Sequence, residues 1–157
     1  MSDLTNLEFV NEQDAGAFDD DFVRRTENMI GLEFEPSFLE FTKRHNGGTP
    51  KKKYFKMGER TKVLETFLGF VPDYKTSPYG GLDIGVVWSQ IDDRLNEYLV
   101  PFAAVYAGDF LCFDYEDGKP PKVVLWIHEL SEEEEPVTEP IAASFEQFLK
   151  MLTDEKK

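Results

Sequence analysis

The spacing of hydrophobic positions along this chain alternates between helical and strand-like periods, and each change marks an element. Phe38, Leu39, Phe41, Thr42 and His45 recur at the i, i+3, i+4, i+7 interval of one helix face. Pro36 suits the first helical position, where its missing N–H costs nothing. Lys43, Arg44 and His45 crowd the last turn, at the negative end of the helix dipole. Asn46-Gly47 then supplies left-handed residues to close the helix. Upstream, Phe22, Val23, Thr26, Met29 and Ile30 predict a first helix, started by Asp19 to Asp21 and stopped by Gly31. The short link from Gly31 to Glu35 predicts that the two helices pair as an αα-hairpin.

From residue 54 onward the pattern turns strand-like. Residues 54–57 and 63–70 are short, aromatic and β-branched, bounded by Gly58 and Pro72. Ile84, Val87, Trp88, Ile91, Leu95 and Tyr98 then return to helical spacing, with Asp92, Asp93, Arg94 and Glu97 between them, which predicts an amphipathic helix. Residues 102–107, 110–115 and 123–127 are almost continuously apolar, as in central strands covered on both faces. Gly108-Asp109 reads as a tight turn, and residues 116–121 as a longer one. Both are too short for a parallel crossover, so the sheet should be antiparallel. A closing helix carries Phe145, Phe148, Leu149 and Leu152 on one stripe, with Ser144 and Gln147 as a capping box. The fold class is α+β: one antiparallel sheet with an N-terminal helical pair, a mid-chain helix and a C-terminal helix packed on it. One domain over residues 1–157 is expected, with its core at about 20–152 and frayed ends.

Charge narrows the partners. Seventeen basic against thirty-one acidic residues leave a net charge of −14, unsuited to a nucleic-acid backbone or an anionic membrane. Such a balance favours a basic partner, or serves solubility alone. Lys51, Lys52 and Lys53 form a local basic spot that reads as a solvated turn. The single cysteine, Cys112, excludes an internal disulfide and fits a reducing compartment. Its apolar neighbours make it a small buried hydrophobe. The N-terminal segment has neither a basic n-region nor an apolar stretch, and no run is long enough to span a bilayer, so a cytoplasmic protein is expected.

Catalytic motifs are lacking. The chain has no glycine-rich phosphate loop, no Gly-x-Ser-x-Gly elbow and no His-Glu-x-x-His helix. Asn46-Gly47-Gly48 stands at a helix C-terminus, the wrong end of the dipole for an anion. His45 and His128 lack ligand spacing. His128-Glu129 follows an apolar strand and could be imagined on a metal, but a lone histidine there more often makes a structural hydrogen bond. Asp109 and Asp114, five apart, fall on opposite faces of a regular strand. The acids of Asp114-Tyr115-Glu116-Asp117-Gly118 miss the register of a calcium loop. No catalytic, cofactor or metal residue is assigned, and no cofactor is expected.

The order of these features resembles the SUKH superfamily of Smi/Knr-type domains. The matching set is Gly31, Pro36, Phe38, Leu39, Phe41 and Asn46-Gly47-Gly48, then Pro101-Phe102-Ala103, Gly108-Asp109, Cys112, Asp114, Trp126, His128 and the Ser144 to Leu149 helix start. One departure is Phe34-Glu35 before Pro36, where the family often has Leu-Pro. The resemblance implies the same α+β fold and an immunity protein, an antitoxin that binds a secreted polymorphic toxin. Such toxins are often nucleases, whose substrate-binding surfaces are basic. Neutralisation would then be stoichiometric, through acidic surface residues: Asp92, Asp93 and Glu97 on the mid-chain helix, Glu116 and Asp117 on a hairpin turn, and Glu132, Glu133, Glu134 and Glu135. Any one of these acids also reads as plain solvated charge. Two alternatives accompany this reading: a non-catalytic regulatory scaffold of cell-wall or signalling control, and a small metal-dependent hydrolase using Asp109, Asp114, His128 and Glu129.

Overall fold

Chain order in the computed structural model, which describes residues 8–11, 16–132 and 135–154, follows the hydrophobic pattern closely. The first part comprises β1 (Phe9–Asn11), α1 (Asp20–Ile30), α2 (Pro36–Arg44) and β2 (Thr49–Pro50). Then come β3 (Tyr54–Met57), β4 (Arg60–Phe67), α3 (Ile84–Ile91), β5 (Leu99–Val105) and β6 (Asp109–Asp114). The chain continues through β7 (Lys122–Trp126), β8 (Thr138–Ala142) and α4 (Phe145–Met151). Strands β3 to β8 form one antiparallel sheet in sequence order, while β1 pairs with β2 apart from it.

Strand alternation sends the continuous apolar runs to two layers. Leu111, Phe113, Val123 and Leu125 face a large core with Phe38 and Phe41 of α2 and Phe145 and Phe148 of α4. Cys112, Val124 and Trp126 face the other way, onto Leu95, Leu99 and the half-buried Trp88 and Ile91 of α3. The central strands are therefore covered on both faces, as their composition predicts. In the larger layer Phe102 stacks on Phe113 at 4.3 Å between centroids. Phe38 meets Phe113 and Phe145 edge-on, at 5.2 and 5.3 Å. Each such buried ring contributes about 1.5–3 kcal/mol from area alone, and the T-shaped contacts somewhat more. The chain then returns from β8 through α4 to β3, where Thr153 and Tyr54 exchange backbone hydrogen bonds of 3.0 and 2.9 Å.

Helix ends follow local chemistry. The Asp19 carboxylate accepts from Phe22 N–H at 2.9 Å and starts α1, which Gly31 ends at φ 89°. Ser144 Oγ accepts from Gln147 N–H at 3.2 Å and starts α4, the forward half of the capping box, while the Gln147 side chain is exposed.

Several expectations need correction. α1 makes its main helix contact with α3 rather than pairing with α2 in a hairpin. α2 is closed by Gly47 and Gly48, at φ 95° and 116°, and Asn46 is not left-handed. The tight turn after β5 places positive φ at Ala107 and Gly108, so Asp109 belongs to β6. β4 ends at Phe67, not at residue 70, because the Asn46 side chain has taken over the Phe70 backbone. α3 stops at Ile91, followed by a 3-10 turn over Asp92–Arg94, and Glu97 and Tyr98 lie in the loop beyond. Strands β1, β2 and β8 are additions to the predicted set. β8, with the sequence Thr-Glu-Pro-Ile-Ala, is an edge strand whose proline and exposed glutamate hide the apolar period. Residues 155–157, within the segment expected to fray, lie outside the described residues.

Candidate functional site

The acidic candidates divide into two groups at opposite ends of β6, with the second core layer between them. At the first end the 3-10 turn of Asp92 and Asp93 is fastened by Arg94. Its Nε and Nη2 donate to Ser131 O at 3.2 and 2.9 Å, and Nη2 also donates to His128 O. The guanidinium lies 5.0 Å from the Trp126 ring centroid, and Trp126 Nε1–H donates to Arg94 O at 3.1 Å. This fastening sets exposed Asp92 and Asp93 beside the segment carrying exposed Glu132 and Glu135. The latter two exchange backbone hydrogen bonds of 3.1 and 2.9 Å. Glu133 and Glu134 lie outside the described residues.

At the other end stand Glu97, Glu116 and Asp117. Tyr115 N–H donates to Tyr98 O at 3.0 Å, which brings the Glu97-Tyr98 loop to the β6–β7 turn. Glu97, and more distantly Glu116, hold the Tyr98 phenol above its ordinary pKa by electrostatic repulsion of the phenolate. Asp117 is partly compensated by Lys122 at 2.6 Å. Four exposed segments therefore present the charge, and α3 itself presents none of it.

Of the residues weighed for catalysis, Glu129 is exposed, while Asp109, Asp114 and His128 are engaged structurally. Asp109 is buried, and its Oδ1 accepts from His128 N–H at 3.0 Å. Asp114 Oδ1 accepts from Glu116 N–H at 2.9 Å. His128 packs over the hairpin, where a Cβ on Gly108 would lie 3.0 Å from its Nε2. His45 stacks on Phe9 at 4.4 Å, at the join of β1 and α2. Cys112 is fully buried, and burial pushes its thiol far above the ordinary range, which makes it inert. Lys51 pairs with Glu8 at 3.2 Å on the surface.

Two buried polar residues escaped the sequence pattern. Asn46, 2% exposed, donates from Nδ2 to Gly16 O at 2.9 Å and Phe70 O at 2.7 Å, and accepts from Phe70 N–H at 2.8 Å. Asp83, 3% exposed, caps α3: Oδ1 accepts from Val71 N–H at 2.8 Å and Oδ2 from Val86 N–H at 3.0 Å. Burial raises its pKa, and backbone N–H groups of Val71, Val86 and Gly85 oppose that rise. Asp83 also lines a groove of about 400 Å³ between α1 and α3. An Asp three residues before an amide it caps is a readable signal, and Leu82-Asp83-Ile84 carries it.

The fold and these motifs place the chain in a known class. It belongs to the SUKH family: the model SUKH_6, described as SMI1-KNR4 cell-wall, matches residues 20–149. The chain is also similar to the SPbeta prophage-derived uncharacterized protein YokK of Bacillus subtilis (strain 168), at 30% identity over 105 residues, or 67% of this chain and 49% of that protein. It thus spans about half the length of the curated relative it matches. Among the described residues, no helix is long and apolar enough to cross a membrane.

Proposed function

We propose that this chain is an immunity protein, which binds a basic toxin domain and neutralises it in the cytoplasm by occupying its substrate-binding surface. The observation that carries the reading is a net charge of −14, part of it displayed on exposed loops at two ends of a rigid sheet. A nuclease toxin needs a basic surface for phosphate, and a fixed acidic surface competes for that site without any chemistry. Steering by such charge raises association rates, an effect that salt screens. Similarity to a prophage-derived protein fits a gene carried with its own toxin on mobile DNA. The test is coexpression and calorimetry with the toxin domain encoded beside the gene. A one-to-one complex that abolishes toxicity is expected.

The cell-wall description of the matching family supports a second reading, a non-catalytic regulatory scaffold. A chain that ignores the neighbouring toxin yet captures a cell-wall or signalling protein would favour it.

A further inference from the structure

The groove between α1 and α3 combines apolar walls with a buried carboxylate in its lining that is held by backbone N–H groups alone. Phe22 and Met29 of α1 face Pro72, Tyr74 and Val86 across it. Met29 is 51% exposed and Tyr74 38%, so both are open to a partner. Asp83 lies beneath them. Backbone N–H groups of Val71, Val86 and Gly85 approach its carboxylate, which offers about four lone-pair positions. Among the described residues no lysine or arginine forms an ion pair with it. Arg25, which also lines the groove, is drawn over the Phe22 ring instead, at 5.7 Å.

Gly85 keeps the carboxylate within reach of the groove. A Cβ at that position would lie 3.2 Å from Asp83 Oδ2 and 2.9 Å from Met29 Cε. The Met29 tip and Thr26 Cγ2, the latter 3.9 Å from that position, border the same floor, and an unbranched thioether swings aside at little cost. A buried carboxylate without a counter-charge is costly, and an incoming cation relieves that cost. A ligand with an aliphatic stem and a cationic tip matches both parts of the groove.

We propose that this groove receives a lysine or arginine side chain of the protein partner, its stem against Phe22, Met29 and Tyr74 and its charge on Asp83. The proposal rests on the immunity-protein reading for the identity of that partner, and charge complementarity selects the side chain. It would make the groove an anchoring point, with the acidic loops acting at longer range.

The test begins with the full chain and a small probe, n-butylammonium, followed by NMR on the Val71, Gly85 and Val86 amides, with n-butanol as the uncharged counterpart. Saturable shifts at these amides with butylammonium are expected, and at least about tenfold weaker binding of butanol. Two variants separate site from fold. Asp83→Ser keeps an oxygen for the Val86 N–H but loses the charge. Gly85→Ala keeps the charge but fills the floor. Both should lose the preference for the cation, and both should weaken toxin binding by about tenfold or more. Equal shifts from both probes, or shifts confined to other amides, would overturn the proposal. If the toxin binds wild type and both variants equally, the groove inference fails and the immunity reading stands. If butylammonium fills the groove but the toxin does not bind, the immunity reading fails and the cation site stands.

Discussion

Arg94 and Trp126 hold each other twice: the guanidinium lies 5.0 Å from the indole centroid, while the indole N–H donates to the Arg94 carbonyl at 3.1 Å. The same guanidinium ties down the carbonyls of His128 and Ser131. One side chain thus joins the end of the α3 segment to the end of β7, and sets the acidic turn of Asp92 and Asp93 beside Glu132.

Replacing Arg94 by Ala should cost about 2–3 kcal/mol, from the lost cation–π contact and the charge-assisted bonds to carbonyl groups. Arg94→Lys should recover only part of this, because an ammonium cannot fork between two carbonyls while lying flat on the ring. Urea unfolding followed by tryptophan fluorescence checks both.

Asn46 makes a second prediction. Asn46→Ala leaves the buried Phe70 N–H and C=O without the side chain that pairs them, and should cost roughly 3 kcal/mol, given about 1–3 kcal/mol for each buried group left unsatisfied. Gly69→Ala should be comparably harmful, because its Cβ would lie 2.0 Å from Asn46 Oδ1. The double variant should cost less than the sum, as both changes break one contact. Denaturant midpoints for the three proteins decide the matter.

Asp83 gives a pH dependence of definite sign. Its folded pKa is raised above the ordinary 3.8, with burial as the largest cause, so the native state binds the proton more tightly than the unfolded chain. Its contribution to stability is therefore full below the unfolded pKa and falls as pH rises through the folded value. Wild type should gain stability relative to Asp83→Ser as pH is lowered from 7 toward about 4. A difference between the two that does not change with pH would contradict this assignment. Thermal unfolding across that range measures it.

The acidic groups should matter for association more than for stability. Neutralising Asp92, Asp93, Glu132 and Glu135 together should leave stability nearly unchanged, within about 0.5 kcal/mol per site, yet slow toxin association at low salt. Neutralising Glu97, Glu116 and Asp117 tests the other end in the same way. Stopped-flow association at two salt concentrations reads both sets.

The large-scale architecture was legible because strong periods report burial directly. Phe38, Phe41, Phe145 and Phe148 repeat at helical spacing and all reach the core, and the strand runs around Cys112 and Val124 are covered on both faces as their lack of alternation implies. The misplacements arise where one polar side chain overrides a local period. Tyr98 continues the helical spacing of Ile84 to Leu95, but the tether from Arg94 bends the chain out of the helix before reaching it. Phe70 extends the strand pattern of β4, but Asn46 claims its backbone. Edge strand β8 is weak in sequence because Thr138, Glu139 and Pro140 serve solvent and edge protection rather than the core. The groove could not be read at all, since it is formed by α1 and α3, which no spacing rule brings together.

The most direct test of the central claim is calorimetric titration of the chain with the toxin domain encoded beside its gene, at low and at high salt, with toxin activity measured along the titration. A one-to-one complex, activity falling to zero at equivalence, and affinity that weakens as salt rises are expected. No heat of binding, or undiminished toxicity with a saturating excess of this protein, would contradict the claim.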